Sequence, residues 1–454
     1  MSAVARTLAG FAAGLTYDRI PPEVIARAKD CIIDTVGVAI FGSDLPWSRI
    51  VVDYAQRYGS GGRSTILGSG NGRAHAPFAA LANGALAHAF ELDSLRQPGA
   101  GVHPGASVAV PALAIAEEIG ASGKDLLTAF VAGCEVMFRI GAASRHTSET
   151  LGFHAPGLTG PYGAAVAAGR LLGLSPEQMV NALGIAGSLG SGLLAFTKAH
   201  RGAMVKRLHL GRAAEGGVLA ATLARDGFTG PETILDGPFG FLDVYCRDPE
   251  AARLTAGLGE TYETLRICLK RYACHITAHA PVQAVRELQA EHGFTGHDVA
   301  GVTIAGSERV MRQHSIPEPP DIMMAQYSVP FCVALSLFRD PEDPRSFSEE
   351  ALGDPAIHAV CRKIKLSARA GSGHGESAWT SRVTIQLKDG REFEREVRDF
   401  KGTPGDPLSR EELGEKFLRL ASGLGRDAAS RLLHRLTRLE EAPNLACLDL
   451  SGKG

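Results

Sequence analysis

The sequence predicts a mainly α-helical protein, with a large all-helical region followed by a smaller α+β domain. Three observations carry this expectation. From residue 1 to about 268, apolar residues recur at helical spacing between short Pro/Gly turns, with no convincing period-2 run. After about residue 270, short β-like runs appear among the helical ones. Beyond the breaker cluster Gly402-Thr403-Pro404-Gly405-Asp406-Pro407 the pattern is helical again.

Val4, Leu8, Phe11 and Leu15 follow helical spacing, so the N-terminus reads as an amphipathic helix. A signal peptide would need a small-residue cleavage site before Asp18, and none is evident. Pro21-Pro22-Glu23 opens a helix, with proline in the first turn and an acid near the positive end of the dipole. Ala79–Ala89 and Ala106–Ala121 have the composition of strong helix formers. Ser175-Pro176-Glu177-Gln178 is a capping box. Further on, Val299–Ala305 reads as a strand, and Val383-Thr384-Ile385-Gln386-Leu387 alternates strictly up to Asp389-Gly390. The alternation resumes at Phe393, Arg395 and Val397, which predicts a tight hairpin with both turn residues at positive φ. Helices are expected over 281–292, 330–338 and 349–363. Ser409-x-x-Glu412 then caps a final helical pair over 410–438. Whether that pair packs back on the first region is left open by pattern alone.

Composition narrows the function classes. The chain has 454 residues, of which 45% are hydrophobic, 21% charged and 6% aromatic, too apolar for disorder and too polar for a multi-span membrane protein. Length alone would suggest about three domains. Lys plus Arg number 47 against 49 Asp plus Glu, so no bulk positive field exists to draw a nucleic-acid backbone. Eight cysteines lie scattered without C-x-x-C spacing, which argues against a disulfide scaffold, a zinc ribbon or a thioredoxin-like motif and for a reduced, cytoplasmic protein. The best membrane-span candidate, Met179–Phe196, contains Asn181, two serines and four glycines, and fits a buried element better than a lipid-facing one. The 54 glycines lie in apolar stretches and imply backbones packed close together.

Several motifs carry little. Gly68-Ser69-Gly70-Asn71-Gly72 and Gly371-Ser372-Gly373-His374-Gly375 lack the Lys-Ser/Thr of a phosphate loop and read as turns. His275 and His279 are spaced to share a helix face, but Ile276 stands where a zincin needs glutamate. The cysteines show no ferredoxin-type spacing. What remains are polar residues set in apolar, Gly-rich sequence, where burial is costly without partners. They fall in four segments: Asn83 to Asp93 with His103-Pro104-Gly105; Gly152-Phe153-His154; Lys206 to Ala214; and Lys270 to His275. Taken singly, each histidine is more often a satisfied core or surface residue. Together they offer acids, imidazoles and cations, the ingredients for proton transfer on an anionic substrate.

In these segments the chain resembles the MmgE/PrpD family, which includes 2-methylcitrate dehydratase, cis-aconitate decarboxylase and iminodisuccinate epimerase. The resemblance runs from Asp34-Thr35-Val36-Gly37-Val38-Ala39 through Ala82-Asn83-Gly84, His103-Pro104, Gly152-Phe153-His154 and Lys206-Arg207-Leu208-His209. It continues through Gly227-Phe228-Thr229-Gly230 and Asp389-Gly390 to the Gly402…Pro407 stretch. It implies a helical domain of residues 1–268 together with 403–454, and an α+β lid domain of 269–402. It also implies a homodimer, a site in the cleft between the domains, and chemistry without metal or organic cofactor. By the same resemblance, Glu91, Asp93, His103, His154, Lys206 and His275 are the candidate catalytic residues, with Lys270, His209 and Arg212 binding substrate. The implied activity is that of a lyase, dehydratase- or decarboxylase-like, on a small di- or tricarboxylate through a carbanion-like species. Epimerisation and metabolite binding without turnover are the alternatives. One departure stands out: Asp93-Ser94-Leu95 replaces the Asp-Asp-Thr of many relatives, and an apolar Leu95 would suit a less polar substrate group.

Overall fold

The computed structural model describes residues 3–199, 202–307, 314–368 and 379–451; the Gly371–Gly375 turn lies outside them. The N-terminal part is helical. Its main helices are α1 (Ala3–Gly14), α2 (Pro22–Ser43), α3 (Pro46–Tyr58), α4 (Ala76–Ala87) and α5 (Val110–Ile119). They continue with α6 (Gly123–Ala143), α7 (Ala155–Leu171), α8 (Pro176–Ser188) and α9 (Val205–Arg225). The local signals act as expected: Pro22 occupies the first turn of α2, and Ser175 and Gln178 form a reciprocal capping box at the start of α8. Gly68–Gly72 turns between two-residue strands at Ser64–Thr65 and Arg73–Ala74.

Two expectations change. The 179–196 stretch is not one helix, because α8 stops at Ser188 and Gly192 takes a φ of +129°. The helix long and apolar enough to cross a membrane, among the described residues, is α6, and its apolar window is 94% buried inside the fold. The Ala106–Ala121 run begins as a π-helical turn over Gly105–Ala109 before α5, and α5 ends where Gly120 adopts the left-handed conformation.

The central helices touch almost backbone to backbone. A Cβ on Gly211 of α9 would lie 2.4 Å from the Leu81 carbonyl oxygen, and one on Gly84 of α4 would lie 2.9 Å from the Gly211 Cα. Any side chain at this crossing would push the helices apart. The close crossing brings the C-terminal end of α4 beside the first turns of α9.

A short antiparallel ladder, β1 (Leu95–Arg96) with β2 (Ile267–Cys268), leads into the second region. There α10 (His279–His292) and α11 (Val329–Ser336) accompany a four-stranded sheet. Its strands are β3 (Val299–Gly306), β4 (Ile364–Ala368), β5 (Ser381–Leu387) and β6 (Glu392–Val397), in the order β4-β3-β5-β6. Only the β3–β4 pair is parallel. Val383, Ile385 and Leu387 enter the core while Arg382 and Gln386 face outward, the alternation read from sequence. The hairpin differs in detail. Gly390 has φ +90° and Asp389 is not at positive φ, while Gly390 N–H donates to the Leu387 carbonyl. This is a three-residue loop with glycine at the left-handed position rather than a two-residue turn. The expected 349–363 helix is split into Glu349–Leu352 and Pro355–Cys361, because proline cannot continue the first piece.

Two apolar cores result. The larger joins residues of α1, α2 and α4–α9 with Leu413, Phe417, Leu432 and Leu436 from α12 (Arg410–Leu420) and α13 (Arg426–Thr437). The smaller lies under the sheet and takes in Val38 and Phe41 of α2, together with Phe90, Leu92 and Leu95. Helix α2 thus serves both cores, and the 88–96 loop sits at their junction. All eight cysteines are free.

Candidate active site

The site is built on the loop after α4. Helix α4 ends at His88, and Glu91 takes a left-handed φ of +55°, uncommon for a residue with a Cβ. This turn sends the Glu91 and Asp93 side chains to different partners.

Asp93 is 1% exposed, and its Oδ2 lies 2.8 Å from both His88 Nδ1 and His103 Nδ1. Burial opposes the Asp93 charge, but His88 and His103 outweigh it and hold the carboxyl well below the usual carboxylate range. A carboxylate taking the His88 Nδ1 proton fixes that tautomer and leaves its Nε2 as the acceptor of the neutral ring, and the same oxygen orients the His103 ring from 2.8 Å. His103 is placed by its turn: Ser107 donates to the His103 carbonyl at 2.6 Å, and Gly105 N–H donates to Ser94 Oγ at 3.1 Å. Ser94 is therefore a buried anchor for the His-Pro-Gly turn. Leu95 pairs with Cys268 and packs in the smaller core.

A second imidazole pair stands next to the first. His154 Nδ1 is 3.0 Å from His209 Nδ1, and the His154 ring centre is 6.0 Å from that of His88. Burial, then His209, pushes His154 down to about 3, and burial pushes His88 and His209 down as well. Phe196 lies edge-on to His154 at 5.4 Å and closes its apolar side.

These neutral imidazoles make stability depend on pH. The unfolded chain would protonate both His88 and His154 below about 6.5, so the unfolded state binds more protons as pH falls. Stability is full above about pH 7 and drops below it, by roughly 1.4 kcal/mol per pH unit for each imidazole. Asp93 does not offset this loss, because a depressed carboxyl keeps its contribution until the pH falls below about 3.9. Urea unfolding at pH 7, 6 and 5 should show the decline, with a shallower slope in His154→Leu. An unchanged midpoint across that range would show that the rings are not held neutral.

Two lysines gather on Glu91. Lys206 and Lys270 both contact its carboxylate, Lys270 at 3.1 Å, and Lys270 also donates to the Glu91 carbonyl at 3.1 Å. Arg207 donates to the Ala89 carbonyl at 2.9 Å and lies over the Trp47 ring. All three cations are buried. Burial, then Lys270 and Arg207, pushes the Lys206 ammonium well below its ordinary value. Burial also lowers Lys270, against the pull of Asp93.

His275 enters from the smaller core's side. Its ring stacks on His314 at 4.1 Å and lies 5.0 Å from Tyr327, whose ring is 5.2 Å from Lys206 Nζ. His279 does not share a face with it. Residues 276–278 form a 3₁₀ turn, and His279 points into the core against Tyr272 and Phe400. Arg212 is not brought into the group either: its side chain is half exposed and pairs with Glu215. His88 and Gln326 were not picked out from sequence as site residues. Gln326 bridges the two regions by donating to the Phe90 and Ala273 carbonyls, both at 2.9 Å. The one sequence clue to His88 is a histidine inside an Ala-rich helix end five residues before the acid.

Among the described residues, His88, Asp93 and His103 form the one group whose ligand atoms, all within 4.8 Å, could surround a metal ion. A cation held through His88 Nδ1 would need that proton gone, whereas Asp93 Oδ2 at 2.8 Å suits an N–H donor there.

Known proteins share this arrangement of sequence. The MmgE/PrpD N-terminal domain profile matches residues 6–254 and the C-terminal domain profile matches residues 272–439. A cis-aconitate decarboxylase of Aspergillus terreus is 30% identical over 449 residues, covering 93% of this chain and 90% of that protein. The human cis-aconitate decarboxylase is 28% identical over 452 residues, covering 97% and 92%.

Proposed function

The chain belongs to the MmgE/PrpD family, and from that premise we propose that it is a lyase acting on a small di- or tricarboxylate without a metal or organic cofactor. The observation that carries this reading is the buried lysine pair, Lys206 and Lys270, on the single carboxylate of Glu91, with Arg207 buried beside them on the Ala89 carbonyl. Buried positive charge in excess of its partners is costly, and an anionic ligand relieves that cost. In this reading Lys206 and Lys270 bind substrate carboxylates and stabilise negative charge as it develops. His103, oriented by Asp93, and the His154–His209 pair exchange protons with the reacting carbon. His275 supplies a further imidazole from the lid. The domains follow the same proposal: residues 1–268 with 403–454 form the helical body, and 269–402 the lid.

Loss of CO₂ is the first outcome to test, because the named relatives are cis-aconitate decarboxylases. The C–C bond breaks, its electron pair stays on the former α-carbon, and a proton taken up from solvent is passed to that carbon through one of the imidazoles. Loss of hydroxide from a hydroxyacid would use the same groups. Epimerisation is favoured by one observation, the two separate imidazole pairs, since removal and return of a proton on opposite faces needs two bases. Incubation with cis-aconitate, citrate, 2-methylcitrate and simpler dicarboxylates in D₂O, followed by NMR, separates these outcomes. A decarboxylated or dehydrated product carrying deuterium supports the lyase, and exchange with inversion alone supports the epimerase. Binding without exchange, or no binding at all, would overturn the catalytic reading.

A further inference from the structure

Asp34 opens the Asp34-Thr35-Val36-Gly37 motif, and the catalytic reading gives it no task. It is 1% exposed, midway along α2, and its Oδ2 has no hydrogen-bond partner. Its Oδ1 accepts a 2.5 Å hydrogen bond from Lys416 Nζ, which reaches in from α12. The same ammonium donates to the main-chain carbonyl of Lys270 at 2.6 Å. One partly buried cation from the C-terminal tail is therefore shared between an acid of the N-terminal helix and the peptide that carries a site lysine.

Packing does not require this pair. Helices α2 and α12 already meet closely, since a Cβ on Gly37 would lie 3.0 Å from the Phe417 ring. Desolvating a carboxylate and an ammonium is costly, and apolar residues of similar size would join the helices as well or better. An apolar pair could not donate to the Lys270 carbonyl. The residue before it is also held, by Gly402. Leu269 N–H donates to the Gly402 carbonyl at 2.9 Å, and a Cβ on Gly402 would lie 1.9 Å from the Leu269 oxygen. Strand β2, just before it, pairs with β1, which follows directly from Asp93. Thr35 extends the contact to the other half of the site, because a Cβ on Gly105 would lie 2.3 Å from Thr35 Oγ1. The Asp34-Thr35 motif thus reaches the Lys270 segment through Lys416 and meets the His103 turn directly.

We propose that Asp34 and Lys416 are a positioning pair, in which the tail ammonium fixes the Lys270 peptide and so aims the Lys270 side chain at the substrate carboxylate. The inference rests on the reading of Lys270 as a carboxylate binder. Its test is the double variant Asp34→Asn/Lys416→Met, which removes both charges together and leaves none buried without a partner. The double variant is expected to keep its melting temperature within about 3 °C. Amides 269–274 should exchange hydrogen about tenfold faster or more. KM for whichever polycarboxylate the protein turns over should rise about tenfold, with kcat changed less than about threefold. Lys270→Met should raise KM similarly. Wild-type exchange and wild-type KM in the folded double variant would overturn the pair's role. Faster exchange with KM unchanged in Lys270→Met would instead overturn the carboxylate-binding reading and leave the brace standing. Should the double variant not fold, Lys416→Gln carries the same readouts. The exchange measurement needs no substrate, so it decides the brace even if no polycarboxylate is turned over.

Discussion

Asp93→Asn is expected to lower kcat by roughly 10³- to 10⁴-fold, the loss seen when the carboxylate that orients a catalytic histidine becomes an amide. The geometry explains why so small a change should cost so much. One oxygen of Asp93 faces Nδ1 of both His88 and His103 at 2.8 Å. An asparagine oxygen is a weaker acceptor and carries no charge to stabilise an imidazolium. If its amide nitrogen faces the rings instead, both must present Nδ1 as acceptor, and His103 turns its proton toward substrate. The first arrangement weakens the base and the second removes it, while the fold stays in place. Steady-state kinetics with circular dichroism as the control measures this, and a loss of less than about tenfold would remove Asp93–His103 from the chemistry.

Glu135→Leu is expected to destabilise the protein by about 3–5 kcal/mol, the usual cost of removing one partner of a buried ion pair. Glu135 is fully buried in α6 and contacts Arg139 at 2.5 Å. Its two oxygens also accept from the backbone N–H groups of Glu263 and Thr264, at 3.0 and 2.8 Å, and from Thr264 Oγ1 at 2.7 Å. Arg139 in turn holds the Gly257 and Thr261 carbonyls. This network anchors the segment that leads into β2 and Lys270, so its loss loosens the approach to the site as well as the core. The unfolding midpoint in urea measures the effect, and Glu135→Leu/Arg139→Met should recover part of it because no unpaired charge remains. A single variant as stable as wild type would show that Arg139 finds other partners.

The parts of this protein legible in its sequence are those fixed within a few residues. The capping boxes at Ser175 and Ser409, the proline at the start of α2 and the alternation of Val383–Leu387 each depend on groups at most four positions apart. Reading failed where spacing alone was used to infer direction. His275 and His279 are spaced for one helix face, yet a 3₁₀ turn separates their side chains. Asp389-Gly390 marks a hairpin, but the turn type depends on strand register. His88 stayed hidden because a histidine in an Ala-rich run is indistinguishable from a packed core residue until its partner is known. Arg212 lies three residues past His209, a spacing that makes them neighbours on one helix face, yet its long side chain pairs with Glu215 and is half exposed.

Sequence therefore determined the helices, the α+β character of the later region and the polar residues placed in apolar surroundings. Tertiary structure decided which of those residues meet. Lys206 reaches Glu91 across 115 residues, Lys270 reaches it across 179, and Lys416 reaches Asp34 across 382. Local propensity contains no term for such pairs. They form because glycines let α4 and α9 cross closely, and because the tail's apolar face is buried in the same core as α2. Lys206, Lys270 and Lys416 each meet a carboxylate there, since a buried charge far from any opposite charge would cost more than the fold can spare.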